Sequence, residues 1–237
     1  HYWNRRKYHK LVDIPCCCSL KSAEWFYGRK YMKGHDVYFI RNGVDYDKYK
    51  FNPLIRTEYR RKLYIDESTL VLLHAGRLTQ VKNQRKILDI LQFLITHGKK
   101  ALLLIAGEGE LYHELVAYAA KLRISDYVKF LGMRSDVNCL MQAADVFLLP
   151  SFHEGFPVTI VEAQSAGLPC LVSANLSREI DITKSVKFIS IDSDSEMWSK
   201  EIESFSLEKR NTVSALVKHS GYDIVDVANN FRNKIKL

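Results

Sequence analysis

Long apolar runs, paired cysteines and a complete dinucleotide-binding glycine triplet are missing from this sequence, and each absence excludes a class of protein. No apolar stretch approaches the roughly 18 residues of a membrane span, because Leu88 to Ile95 and Ala101 to Ala106, the best candidates, are cut or bounded by polar residues. A soluble chain is expected. The cysteines, Cys16, Cys17, Cys18, Cys139 and Cys170, are odd in number, three of them adjacent, with no Cys-x-x-Cys pair. That pattern fits a reducing cytoplasm and argues against zinc, and the sequence shows no obvious cluster for any other bound metal. Gly107-Glu108-Gly109 lacks its third glycine, Tyr112 standing in that place, so NAD is not an expected cofactor. Neither an initiator Met nor an apolar signal core accompanies His1, and the start reads like a cut.

Charge is present but uneven. Residues 1–65 hold 15 Lys+Arg against 6 Asp+Glu, the remainder 20 against 21, within a net charge of +8. Such a basic front suits either an anionic partner, such as the inner face of a membrane touched peripherally, or a plain solvated surface. No recognised basic-aromatic module accompanies it, so nucleic acid is not an expected partner.

With 47% apolar residues over 237 positions, the chain has enough material for a real core. From Leu70 onward short apolar runs alternate with amphipathic stretches. The strands predicted are Val71 to Ala75, Ala101 to Ala106, Val128 to Leu131, Val146 to Pro150, Pro169 to Val172 and Lys187 to Ile189. Helices are predicted over Lys82 to His97, Leu111 to Lys121, Ser135 to Ala143 and Pro157 to Ala166, then a helical tail from Ser195 through Leu207 to Ile235. This alternation specifies an α/β, doubly wound, parallel Rossmann-like sheet, whose ligands sit beyond the carboxyl ends of the strands. Ahead of it, Leu11 to Cys18 reads as a strand, Ser19 to Tyr27 as a helix and Val37 to Ile40 as a strand. Those few elements cannot bury a core alone.

The informative chemistry lies between Pro150 and Ala163, after an apolar strand and into a helix. Gly155 permits close backbone approach, and Pro157 suits the first helical position. Free amides of that turn form a site for a phosphate or a sugar oxygen. Glu154 and Glu162 flank it; carboxylates repel a bare phosphate but accept paired hydroxyls, so a sugar nucleotide matches them. The plainer alternative makes Glu154 a complement to the helix start and Glu162 a solvated residue. Against it, Gly76-Arg77-Leu78 follows the first strand and Lys82 opens the next helix, placing two cations on the same sheet edge, although Arg77 could also serve a surface ion pair. His153 reads as exposed and His74 as a hydrogen-bonded structural residue.

Together, Gly76-Arg77-Leu78 with Lys82-Asn83, Ile105-Ala106-Gly107-Glu108-Gly109, Leu131-Gly132, Ala144 to Ser151, and Glu154-Gly155-Phe156-Pro157 with Glu162-Ala163 resemble glycosyltransferase family 4. The glutamates have its Glu-x7-Glu spacing, Arg41 to Asp45 resembles its entry into the second domain, and Gly221 to Ile224 its last helix region. The resemblance implies a retaining GT-B enzyme of polysaccharide assembly that moves a hexose from a nucleotide diphosphate sugar, most simply a UDP-sugar, to a glycan or lipid-linked acceptor. It also implies the roles: Arg77 and Lys82 on the diphosphate, Glu154 on the transferred sugar, Glu162 on the ribose. The amides of Gly155, Phe156, Pro157, Val158 and Thr159 would approach sugar and phosphate, with Gly76, Gly107, Gly109, Met133 and Arg134 around the nucleotide. Under the same resemblance residues 1–40 are the end of an acceptor domain, 41–220 the donor domain, and 221–237 a helix returning to the first. On that reading the rest of an acceptor domain is expected and does not precede residue 1 here, so a donor-binding fragment without turnover is the alternative, and a sugar-nucleotide epimerase a third option without positive support.

Overall fold

A computed structural model of the chain describes residues 12–206 and 210–235. Leu11, Leu207 and the start at His1, which figure in the expectations above, lie outside them. The strands are β1 (Cys16–Cys17), β2 (Tyr38–Phe39), β3 (Leu70–Ala75), β4 (Ala101–Ala106), β5 (Val128–Phe130), β6 (Val146–Leu149), β7 (Cys170–Ser173) and β8 (Val186–Ile189). Six of them form one parallel sheet in the order β5-β4-β3-β6-β7-β8. The chain winds outward from β3 to one edge, returns to pair β6 beside β3, and winds outward to the other edge. That reversal creates a crevice at the carboxyl ends of β3 and β6, where doubly wound folds bind ligands.

The helices are α1 (Leu20–Phe26), α2 (Arg29–Met32), α3 (Tyr46–Tyr49), α4 (Pro53–Lys62), α5 (Gln84–Thr96), α6 (Tyr112–Lys121), α7 (Val137–Ala143), α8 (Val158–Ser165), α9 (Ser195–Glu203), α10 (Arg210–Lys218) and α11 (Ile224–Ile235). Strand periodicity sends alternate residues to opposite faces. Leu73, Phe147, Leu149 and Val172 meet Leu140, Met141, Ile160 and Ala163 of α7 and α8 on one face. Leu72, Leu103, Ile105 and Leu148 meet Leu88, Leu91, Leu115 and Trp198 of α5, α6 and α9 on the other. Both faces are covered, which is why the strands read as unbroken apolar runs. No helix among the described residues is long and apolar enough to cross a membrane.

Three local expectations change. The front strands shrink to β1 and β2, which among the described residues there are the stretches that pair in a ladder. The single tail becomes α9, α10 and α11, with the last break at Gly221, whose φ of +79° suits glycine. The third change is α4, which the apolar pattern did not predict. Asn52 caps it through Leu54 N–H and Pro53 starts it, yet what it buries is Arg60, 1% exposed. Arg56 and Arg60 reach Asp145 at 2.6 and 3.4 Å and join Arg210 in binding carbonyls at the carboxyl end of α7.

Candidate functional site

Two loops leave the crevice, one from β3 and one from β6, and they are tied to each other. Phe152 N–H donates to the Val81 carbonyl at 2.8 Å, and Asn83 Nδ2 to the Pro150 carbonyl at 3.3 Å. Asn83 is left-handed (φ 52°, ψ 47°) and separates a 3-10 turn, Gln80–Lys82, from α5. Lys82 therefore stands in that turn and not on the helix. From there its Nζ reaches Glu154 Oε1 at 2.6 Å, and Ser151 Oγ donates to the same oxygen at 2.7 Å. The pair is mostly shielded, with 22% and 12% side-chain exposure. Gly76 lies beside it, since a side chain there would come within 3.7 Å of Lys82 Cε. Arg77 is exposed and forms no ion pair among the described residues.

Beneath Arg77, buried polar groups hold the loop. Gln84 Nε2 donates to the Arg77 carbonyl at 2.8 Å and to His74 Nε2 at 3.2 Å, while His74 Nδ1–H donates to the Leu148 carbonyl at 2.9 Å. Because both carbonyls only accept, the tautomer and the amide orientation follow. His74 is thus the structural residue expected, and burial pushes its pKa down to about 4. The unfolded chain binds that proton below about pH 6.5 and the folded chain only near pH 4, so stability is full above the window and falls through it by about 3 kcal/mol. Urea unfolding from about pH 7 to 4 is expected to show this loss, and His74→Asn to flatten it. Equal slopes for both proteins would refute the assignment.

The loops after β4 and β5 complete the edge. A Cβ at Gly107 would fall 2.0 Å from the Gly76 carbonyl oxygen, and one at Gly109 2.3 Å from that of Leu78. These glycines thus let two loops pack backbone to backbone. Gly107 N–H donates to the Gly132 carbonyl at 2.8 Å, which draws in the third loop. Met133 there is 77% exposed. The Arg134 guanidinium is held by Asp136 at 2.7 and 2.6 Å, and Asp136 in turn accepts from Tyr59 at 3.0 Å.

At the start of α8, Pro157 has ψ 100° and is the N-cap, so the helix begins one residue later than expected. By helix geometry the amides of Val158 and Thr159 have no intrahelical acceptor. Gly155 is exposed, and no protein atom lies within 4 Å of where its side chain would be. Phe156 stacks on Tyr222 at 5.5 Å between centroids. Glu162 contacts neither Lys82 nor Glu154; its Oε1 accepts from Tyr49 Oη at 2.9 Å. Burial raises the Glu162 pKa, against the lowering effect of Tyr49 and Lys48. Tyr49, Ser151 and Gln84 carry no role in the sequence reading, since hydroxyl and amide partners leave no periodic trace. His153 is exposed, as expected.

The result is an open shelf with paired charges, free helix amides and a carboxylate further along α8. No group of three His, Cys, Asp or Glu side chains placed for a metal occurs among the described residues. A cavity of about 240 Å³ between β2 and α11, lined by Phe39, Arg41, Phe231 and Lys234, shares no residue with it. A family model for glycosyl transferases group 1 matches residues 55–219, which include the shelf. The chain belongs to this family. Among curated proteins, the glycosyltransferase EpsF of Bacillus subtilis (strain 168) is 29% identical over 212 residues, covering 88% of this chain and 55% of EpsF. The UDP-Gal:alpha-D-GlcNAc-diphosphoundecaprenol alpha-1,3-galactosyltransferase of Escherichia coli is also 29% identical, over 86% of this chain and 51% of that enzyme. The chain spans about half the length of these curated relatives. In fold it is similar to HepE of Anabaena, crystallised with UDP-glucose, at TM-score 0.78 and 22% identity over 98% of this chain and 67% of HepE.

Proposed function

We propose that this chain is the donor-binding part of a retaining GT-B glycosyltransferase of family 4, acting on a UDP-hexose. The single observation that carries the reading is the Lys82–Glu154 pair at the fold's switch point, beside the free amides of α8. Lys82 and Arg77 would neutralise the diphosphate, with the helix start adding fixed dipoles to the leaving group. Glu154, steadied by Ser151, would accept hydroxyls of the transferred sugar, and Glu162 those of the ribose. The backbone around Met133 and Arg134 would face the base. Gly155, a glycine that protein packing does not require, leaves room for a ligand. Support for the donor class comes from the Escherichia coli relative, named for UDP-Gal and a lipid-linked acceptor, and from HepE with UDP-glucose.

The assignment to this chain is donor binding; transfer to a glycan or lipid-linked acceptor belongs to the protein together with an acceptor domain, for which residues up to 40 and the α11 region would be the contact. Val44 already holds that junction on both sides, its N–H donating to the Tyr222 carbonyl at 2.8 Å and its carbonyl accepting from Ile224 N–H at 3.0 Å. A UDP-hexose is expected to raise the melting temperature, GDP- and ADP-sugars to do so less, and Glu162→Ala to reduce the shift. At a ligand concentration about 100 times Kd the stabilisation amounts to about 2.7 kcal/mol. Absence of any shift in such a panel would remove the proposal. Salt-sensitive binding to anionic vesicles tests the peripheral contact separately.

A further inference from the structure

Tyr49 lies outside the family-matched span, residues 55–219, and none of the motifs includes it. We infer that Tyr49 is a positioning residue for nucleotide recognition: its hydroxyl clamps one oxygen of Glu162 and leaves the other for the ribose hydroxyls of a nucleoside diphosphate. The inference rests on the proposed donor site.

The geometry is specific. The short helix α3 is capped by Asp45, whose Oδ1 accepts from Lys48 N–H at 3.0 Å. Its far end is held by α7, where Asn138 Nδ2 donates to the Lys48 carbonyl at 3.3 Å and Gln142 Nε2 to the Tyr49 carbonyl at 2.9 Å. Gln142 is itself buried, at 1% exposure. Tyr49 is therefore fixed at its backbone before its hydroxyl reaches Glu162 at 2.9 Å. Because α7 follows the Gly132 to Arg134 loop, one short helix braces both the segment facing the base and the carboxylate facing the ribose.

The chemistry gives the clamp a purpose. An ionised carboxylate only accepts, so it can serve two hydroxyls, whereas a protonated one turns one oxygen into a donor. Burial favours the protonated form of Glu162, and the Tyr49 hydroxyl and Lys48, both on α3, favour the ionised form. Loss of the hydroxyl is thus expected to weaken diol binding and to make it more sensitive to acid.

Isothermal titration of UDP and of its deoxyribose analogue, from about pH 5 to 8, tests this with the intact chain, Tyr49→Phe, Glu162→Ala and the double variant. Tyr49→Phe is expected to weaken UDP binding roughly three- to tenfold near neutrality, to narrow the preference for ribose, and to move the acid-side loss of affinity to higher pH. Titration of the nucleotide's own phosphate is common to all four proteins. In the Glu162→Ala background, which has no acceptor for the hydroxyl, the Tyr49 change is expected to do nothing further, and Tyr49→Gln, which keeps an N–H donor, to recover part of the loss. Unchanged affinity and pH profile in Tyr49→Phe, or an effect that persists without Glu162, would overturn the inference while leaving the donor site standing. Failure of the intact chain to bind UDP would overturn both. Ligand-free melting curves separate a folding defect from a binding one.

Discussion

Asp145→Ala is expected to lower the melting temperature by about 10 °C, because a cost of about 3–5 kcal/mol for uncovering a buried charge translates to about 2–4 °C per kcal/mol in a chain of this size. Asp145 is 4% exposed and accepts from Val71 N–H at 2.7 Å, Arg56 Nη2 at 2.6 Å and Arg60 Nη1 at 3.4 Å. Deleting the carboxylate strands two shielded guanidinium groups and a strand amide at once. Arg210 makes the loss worse, since burial and then the Arg56 charge already lower its pKa and Asp145 opposes them. Asp145→Asn, which keeps an acceptor for Val71, is expected to fall between. Calorimetry that finds Asp145→Ala as stable as the parent would show that backbone carbonyls alone, those of α7 together with Asp66, Thr69 and Ala166, hold the three arginines.

Lys82→Ala is expected to remove most nucleotide-sugar binding, roughly ten- to a hundredfold in Kd, the range for losing about 1.5–3 kcal/mol from a charged hydrogen bond. The lysine sits 2.6 Å from Glu154, so its loss removes the cation proposed for the diphosphate and also leaves a carboxylate of 12% exposure with only Ser151 as donor. That carboxylate would then repel the phosphates of the proposed donor. Lys82→Arg keeps the charge and is expected to bind more tightly than Lys82→Ala. UDP affinity equal to the parent in Lys82→Ala would move the diphosphate away from this loop.

What could be read in advance divides along a physical line. Apolar periodicity reports burial by hydrophobic side chains, and β3 to β8 are found within one residue of expectation. The glycine and proline signals likewise located the loops of the crevice. Lys82 and Glu154, 72 positions apart in sequence, were placed on one edge by the strand-helix alternation alone. Burial by arginine leaves no such trace: α4 is basic, with Arg60, Arg61 and Lys62 in its last turn, and resembles a solvated segment. Its readable signal was Asn52-Pro53, a cap followed by a proline suited to helix starts.

The sequence by itself determined the α/β class, the winding order that puts the β3 and β6 loops together, and the residue types offered there. Tertiary structure decided which oxygen meets which donor: Glu154 went to Lys82 and Ser151, Glu162 to Tyr49, and Asp145 to arginines from a helix the pattern did not reveal. Hydrophobic burial is non-directional and needs only spacing to be recognised, whereas a hydrogen bond depends on distances and angles that exist only once distant segments have packed.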